Sequence, residues 1–590
     1  MENIEIADVL DQLADLLEIR GSNPFRIRAY RNAVRTVRGL TRPLTAMVEA
    51  DEDLTELPAI GKDMSAHIVE LVQTGTLARL TELSAEVPRS LVQLVKLDGV
   101  GPKKAKKLWE SLEITSVDEL EAALKAGKVE RLEGFGVTTV RKILTSIEDF
   151  RRYSGRFLIS KVDALIGPLV DHMREAPGVE RIEVAGSYRR RKETIGDVDL
   201  LVQAELPAPA AMEHFTTFGS VERVVSAGDT RGAVVLRSGL EVDLRIVPRR
   251  SFGAALHYFT GSKEHNVAVR QVAQRQRLRV NEWGVFRLPE GVDPEDVGKE
   301  DGERVAGETE SSVFEALGMV SVPPVLRENR GEVEAAREDS LPELVMLEDI
   351  QGDLHMHSTW SDGRASIEDM ARACAARGYR YLAISDHSPA LAMVGGVTPE
   401  RAVRQWEEIA RVREGLDGIE IFRALEVDIL GDGSLDMTDE VLEKLDLVLV
   451  SVHSLMDMDR VGMTDRVIKA IQHPQVDILA HPTGRLLARR EPFQIEMEEV
   501  LQAARDLDVA VEINANPNRL DLNDVHAHRA KELGVKVVVS TDAHSVQRLD
   551  HMSYGVDQAR RAWLGKADVL NTMTPKQFRI WLGRRDGTNA

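Results

Sequence analysis

Two sets of side chains in this sequence have the types and spacing to hold metal ions. The first lies in Gly186-Ser187-Tyr188-Arg189-Arg190-Arg191-Lys192-Glu193-Thr194-Ile195-Gly196-Asp197-Val198-Asp199. On a strand, residues two apart face the same way, so Asp197 and Asp199 present paired carboxylates to one point. Such a pair suits Mg2+ or Mn2+, which take oxygen ligands and leave positions for substrate phosphates. A third acid, Asp243, falls on another expected strand and completes a two-metal site if that strand pairs nearby. Ser187, the Gly186 backbone and Arg190, with Gly196 just before the pair, could hold a triphosphate tail. A lone Asp-x-Asp is usually solvated, and the upstream Gly-Ser is what makes this one informative.

The second set recurs through the last two-fifths of the chain: His355 and His357, Asp362, His387, Glu426, His453, His481, then Asp542 and His544. Imidazole with carboxylate suits Zn2+, Mn2+ or Fe2+. Any one of these histidines alone reads better as a capped or core residue. Nine such residues at the ends of apolar strands read as one site, where barrel enzymes do their chemistry.

The elements that must position these residues follow from composition and periodicity. With 590 residues, 43% hydrophobic and 29% charged, the chain is too long for one core and too apolar for disorder. From Ile4 to about Leu144 the apolar spacing is helical. Strands are expected at Arg181–Ala185, Val198–Gln203, Gly232–Leu236 and Leu240–Ile246, giving a mixed α/β region. Leu288–Glu310 reads as an acidic loop, and 323–348 as an interdomain linker. Beyond it, strands at Tyr381–Ser385, Leu447–Val452, Val476–Ala480, Val509–Ile513 and Val535–Val539 alternate with helices, the texture of βα units closing into a barrel.

The helical region carries three Gly-containing turns between helices, at Gly61, at Gly99 and Gly101, and at Gly134 and Gly136. Each looks like a helix-hairpin-helix. Its glycines let the backbone approach a ligand, and the amides of the next helix point at a phosphate. Plain αα-turns with glycine caps are the bland alternative. Lys103, Lys104, Lys106 and Lys107 directly follow the second turn. The net charge of −21 confines any grip on a polyanion to such local patches. One cysteine, Cys374, allows no internal disulfide, and no signal-like or membrane-length apolar span is visible, so a cytoplasmic protein is expected.

The segment from Gly186 to Asp199 resembles the nucleotidyltransferase palm of the DNA polymerase β family, family X, and the resemblance spans about residues 1–318. Tyr258-Phe259-Thr260-Gly261-Ser262, Asn266, Arg270 and Asn281-Glu282-Trp283 match that family's nucleotide-closing subdomain. The resemblance implies that Tyr258 and Phe259 line the sugar pocket and that Gly261 lets the backbone approach the nucleotide. It sets Asn266 facing the base and Arg270 on the template side. Asn23-Pro24-Phe25 through Ala29-Tyr30-Arg31 is similar to the small domain that binds a gap's 5′ end. His67 stands where relatives with 5′-deoxyribose-phosphate lyase activity carry a lysine, and imidazole forms no Schiff base. Lys62 lies on a different part of the turn, so lyase activity is not expected.

The histidine-rich set resembles the polymerase and histidinol phosphatase (PHP) domain, a distorted-barrel phosphoesterase, over about 349–585. All nine of that family's ligand positions are filled, which implies three divalent ions that activate water toward a phosphodiester. Arg485, Asn514 and Asn516 are candidate substrate contacts, with a turn role equally open for the asparagines. The expected units are an end-binding helical domain (1–85), a second helical DNA-binding domain (86–150), palm (151–250), closing subdomain (251–322), linker (323–348) and PHP domain (349–590). Together the resemblances imply a monomeric polymerase filling gapped or nicked DNA with dNTPs in repair, joined to a 3′→5′ exonuclease. AP-endonuclease or 3′-phosphatase action would be further capacities of the PHP site. A DNA-end-binding scaffold, or a PHP domain acting on small metabolites, are the competing readings.

Overall fold

The computed structural model describes residues 3–39, 44–95, 97, 99–153, 156–289, 298–390 and 394–583. The first 153 residues form helices and turns without a strand among the described residues. Their apolar stripes close on one core that includes Leu10, Leu13, Leu17, Ile68, Leu94, Leu108 and Ile143. Local signals set the helix ends. Gly75, at φ 69°, stops Lys62–Thr74, and a Ser116–Glu119 capping box starts Val117–Lys125.

The palm begins with a short antiparallel pair, β1 (Phe157–Leu158) and β3 (Thr194–Ile195). Its main sheet runs β2 (Val179–Val184), β4 (Asp197–Ala204), β7 (Glu241–Val247), β6 (Arg231–Leu236), β5 (Val221–Ala227). Four of these five match the expected strands. The fifth, β5, sits at the sheet edge with nearly every residue exposed, so it carries no apolar alternation to read. β4 and β7 pair in parallel, flanked by antiparallel neighbours.

Helices Phe252–Thr260 and Lys263–Arg275, with β8 (Leu278–Asn281), β9 (Gly284–Arg287) and β10 (Glu303–Ala306), make the next unit. Residues 290–297 of the expected acidic loop lie outside the described residues, and β10 follows. Gly253 lets Phe252–Thr260 lie directly on the segment 307–310. A Cβ there would stand 2.0 Å from the Thr309 carbonyl carbon, and the Gly253 amide donates to the Glu308 carbonyl at 3.1 Å.

The stretch 323–348 is itself structured. A 3-10 turn at Pro324–Leu326 and a helix at Glu332–Arg337 place Val325, Leu326, Val333 and Ala336 in the core of the preceding unit. Arg327, 1% exposed, pairs with Glu310 at 2.6 Å. Val345 already belongs to the barrel core.

That barrel is a parallel sheet in chain order: β11 (Gly352–Asp353), β12 (Tyr381–Ile384), β13 (Glu420–Asp428), β14 (Leu447–Ser451), β15 (Ile478–Leu479), β16 (Ala510–Asn514) and β17 (Val537–Ser540). β11 and β13 were not among the expected strands. The strands are continuous buried apolar runs because helices cover the outer face. A parallel bridge between Met356 and Ala543 and a 2.9 Å bond from the His357 amide to the Ala543 carbonyl bring the ends of the sheet together. Among the described residues no helix is long and apolar enough to cross a membrane.

The packing at Gly253 sets a testable expectation. Gly253→Ala must push residues 307–310 away, an overpacking penalty of about 1–3 kcal/mol. Calorimetry of the full chain should show a lowered transition, and a melting profile identical to that of the parent would contradict the close approach.

Candidate active sites

Parallel pairing of β4 with β7 puts Asp199 directly beside Asp243, and Asp197 beside Glu241. Val198, Leu200, Val242 and Leu244 point into the palm core, so the acids necessarily point out of it. Burial pushes the Asp199 carboxyl up to about 7, and the charges of Asp197 and Asp243 add to that effect. Three crowded carboxylates offering only oxygen atoms are a donor set suited to a hard divalent cation.

A cavity of about 490 Å³ opens in front of these acids. Asp197, Asp199, Gly186, Ser187 and Arg190 line it from the palm, and Tyr258, Phe259, Gly261, Asn266 and Arg270 face them. The structure thus brings together almost every residue expected around a nucleotide. Gly196 sits at the turn into β4, where a Cβ would approach Arg156 to 3.2 Å. Arg156 itself lines the cavity, as do Lys192 and Lys263, three cations that motif reading passed over. Gly186 has φ 63°, and a Cβ on it would lie 2.7 Å from Asp199 Oδ2, so glycine is required for both reasons. Asn266 Nδ2 donates to the Tyr258 carbonyl at 2.7 Å, which leaves its buried Oδ1 without a partner. Arg190 donates from Nε to Glu328 at 3.1 Å and from Nη1 to the Thr260 carbonyl at 2.6 Å.

At the barrel mouth the nine expected ligands meet. Glu426 on β13 is the centre. Its carboxylate lies 3.3 Å from His355, 3.5 Å from His357, 2.9 Å from His387, 3.5 Å from His453 and 2.8 Å from His481. Asp542 is 3.2 Å from His357, and Asp362 is 3.2 Å from His544. The atoms fall into three ligand groups: His357, Asp362, His387 and His544; His355, His357 and Asp542; His387, Glu426 and His453. His355 Nε2, both ring nitrogens of His357, His387 Nδ1 and Glu426 Oε2 are buried and make no well-aligned hydrogen bond, although His387 Nδ1 and Glu426 Oε2 stand only 2.9 Å apart. Buried polar atoms in that state are costly unless a cation fills the space between them, so the residues fit a multinuclear metal centre. Burial pulls the His357 imidazole down to about 3, with His544 and His387 adding to the effect. Burial opposes charge on His387 as well, but Glu426, Asp362 and Asp542 outweigh it and hold that ring at about 9. Two of the expected ligands, His481 at φ 28° and Asp542 at φ 52°, have left-handed backbone, a strain that the surrounding strand ends must hold.

Sequence reading missed the groups that aim these ligands. Glu512 on β16, fully buried, takes His355 Nδ1 at 2.7 Å and the His481 amide at 2.7 Å. Asp428 takes His453 Nδ1 at 3.0 Å. Carboxylates of this kind fix the tautomer and direction of an imidazole ligand. An acid inside an otherwise apolar strand, as in Val511-Glu512-Ile513, was the available signal. Arg519 lies 3.6 Å from Asp542 and brings a guanidinium to this site. Arg485 is not placed as a substrate contact. It is 7% exposed and its guanidinium binds Glu193 of the palm at 3.2 and 2.7 Å. Asn514 donates to Asp542 at 3.1 Å, and Asn516 accepts from the Asn518 amide at 3.1 Å, which makes it a turn residue.

In the helical region Gly61 and Gly101 sit at the first turns of Lys62–Thr74 and Pro102–Leu112, while Gly99 and Gly134 have φ 90°. Gly136 precedes Val137–Tyr153. The second and third hairpins pack as a pair, since a Cβ on Gly99 would meet Ile143 at 3.2 Å and Lys104 lies over the Phe135 ring. Lys104, Lys106 and Lys107 donate to the carbonyls of Gly99, Arg20 and Glu133, and Lys103 is exposed. His67 stacks on Tyr30 and meets its hydroxyl at 3.3 Å. Lys62 is the first residue of the same helix.

A palm with three converging acids, a facing closing unit, tandem hairpins and a histidine-ringed barrel define a two-site enzyme of polynucleotide phosphate chemistry. Family models agree: a helix-hairpin-helix domain at residues 1–77, a SAM-like helix-hairpin-helix tandem at 91–149, a DNA polymerase beta thumb at 255–328 and a PHP domain at 353–516. The chain is 37% identical to the DNA polymerase/3'-5' exonuclease PolX of Bacillus subtilis (strain 168), over 99% of this chain and 100% of that protein. DNA polymerase lambda of Rattus norvegicus is 25% identical over 55% of this chain and 56% of its own. A probable phosphatase of Thermoanaerobacter sp. (strain X514) is 30% identical over 37% of this chain and 89% of its own. The chain belongs to the PolX family of DNA polymerase/3′-5′ exonucleases.

Because a Gly186 side chain would strike Asp199, Gly186→Ala should cut primer extension by roughly two orders of magnitude, the scale of misplacing a catalytic group by about 1 Å. Exonuclease activity should be unchanged. Extension at the parent rate would show that Gly186 does not hold this geometry.

Proposed function

We propose that this chain fills short gaps in DNA by template-directed addition of dNTPs and trims 3′ ends at the barrel site. The observation that carries the reading is the in-register placement of Asp199 beside Asp243 across a cavity whose far wall is Tyr258, Phe259, Asn266 and Arg270. Divalent ions held by Asp197, Asp199 and Asp243, Mg2+ or Mn2+, would supply charge neutralisation for the primer 3′-oxygen and the departing pyrophosphate. Ser187 and Arg190 hold the triphosphate. Tyr258, 37% exposed, offers its ring to the sugar, and the unpaired Oδ1 of Asn266 meets the nucleotide. Gly61, Gly99, Gly101, Gly134 and Gly136 set backbone amides against DNA phosphates, with Lys103 and Lys104 beside them.

At the barrel, Mn2+, Zn2+ or Fe2+ held by the nine ligands would supply an activated water. His355, His357 and Asp542, from the two ends of the sheet, would together hold one of these ions. Arg519 binds the scissile phosphate and Glu512 keeps His355 in one tautomer. In this reading the functional units are the helical region, the palm, the closing unit with 323–348 packed into it and the barrel, and the monomer is the working form.

Two substitutions separate the sites on end-labelled gapped DNA with Mn2+. Asp199→Asn should abolish extension while shortening proceeds at the parent rate, and His355→Ala should do the reverse with loss of bound transition metal by elemental analysis. Extension by Asp199→Asn, or full metal content with normal shortening in His355→Ala, would refute the corresponding assignment. Chelation should stop both activities, with Mn2+ restoring them; shortening that persists through exhaustive chelation would exclude a metal-dependent barrel.

A further inference from the structure

The turn that carries Arg190 into the cavity is gripped from behind by the barrel. Arg190, Arg191 and Glu193 lie between Gly186 and Asp199, and one barrel helix, Met552–Arg561, contacts all three. Asp557 accepts from Arg191 Nε at 2.6 Å, and Gln558 Nε2 donates to Glu193 at 3.3 Å. Arg561 Nη1 donates to the Arg190 carbonyl at 2.7 Å. The same nitrogen lies 3.0 Å from Glu328 Oε1, the oxygen that accepts from Arg190 Nε. Asp524 holds the other arm of Arg561 at 2.6 Å, and Arg561 is 3% exposed.

This arrangement does more than join two units. The turn is rich in like charge and includes Arg191 at φ 54°, so its conformation depends on outside support. Glu328 is shared between Arg190 and Arg561. Alone with Arg190 it would be a full counter-ion, drawing the guanidinium from the cavity and cancelling its charge. Anchored also by Arg561, it orients Arg190 while its charge is divided. A guanidinium already fixed in place loses less conformational freedom when it binds phosphate.

We propose that Arg561, a residue of the nuclease-bearing barrel, is a positioning residue for the polymerase reaction, setting Arg190 through Glu328 and the Arg190 carbonyl to receive the nucleotide triphosphate. The proposal rests on the reading of Arg190 as a triphosphate ligand. Arg561 touches neither substrate nor metal ligand, so its effect belongs in nucleotide affinity.

The test is single-nucleotide gap filling by full-length Arg561→Met, Glu328→Gln and Arg190→Met, with KM for dNTP and kcat measured separately and exonuclease rate on the same DNA. Arg561→Met should raise KM about tenfold, the scale of one charge-assisted hydrogen bond, with a smaller change in kcat and the parent exonuclease rate. The double variant with Arg190→Met should be no worse than Arg190→Met alone, because both act through one guanidinium. An unchanged KM in Arg561→Met, or additive effects in the double variant, overturns the proposal. Should Arg561→Met lose both activities through misfolding, Glu328→Gln decides: it leaves the barrel intact, and an unchanged KM there overturns the proposal equally. An unchanged KM in Arg190→Met instead removes the reading on which it rests.

Discussion

Carboxylates resist being taken out of water, and both sites of this protein are built by crowding them with other ionisable groups. In the palm, parallel register leaves Asp199 no choice but to stand beside Asp243, and burial, with the charges of Asp197 and Asp243 added to it, pushes its carboxyl up to about 7. In the barrel, Glu426 is buried within reach of five imidazoles, and Asp542 within reach of His355, His357 and His544. Folding tolerates such concentrations of charge because rigid strands hold them and because a cation relieves them. Much else in the structure serves that constraint, from the missing side chain at Gly186 to the buried Glu512 that steadies His355.

The candidate ligands were legible because chemistry at strand ends leaves a local mark. Asp197 and Asp199 announce themselves by a spacing of two, and the histidines by their place after apolar runs. Asp243 could be assigned only conditionally, since strand pairing is a long-range fact that no local pattern contains. The same limit hid Glu512 and Asp428, whose partners lie far along the chain. It also misdirected the reading of Arg485. An arginine near a metal cluster suggests phosphate, yet this one is consumed by Glu193 across the palm–barrel boundary. β5 was invisible for a different reason: an exposed edge strand has no buried face to pattern it. The stretch 323–348 reads as polar and Pro-punctuated, but spaced apolar residues such as Val325, Leu326 and Val333 are enough to pack it.

Net charge and nucleic-acid binding are reconciled at the hairpins. A chain of charge −21 repels a polyanion on average, so a grip on DNA needs local groups, and the hairpin turns offer helix-start amides with a few lysines beside them. Gly99 serves two ends there. It takes up a left-handed backbone in the turn, and its lack of a side chain lets Ile143, on the helix that follows the third hairpin, close on it, so the two hairpins pack together.

Barrel closure orders events during synthesis. Asp197, Asp199 and Asp243 are made close together, before the barrel begins. His355 and His357 wait for Asp542 and His544, because strands β11 and β17 bracket the whole barrel. A growing chain therefore holds the three palm acids long before it can close the histidine-ringed barrel mouth. Arg561 comes later still, on the helix after β17, so the arginine behind the palm turn arrives only with the finished nuclease.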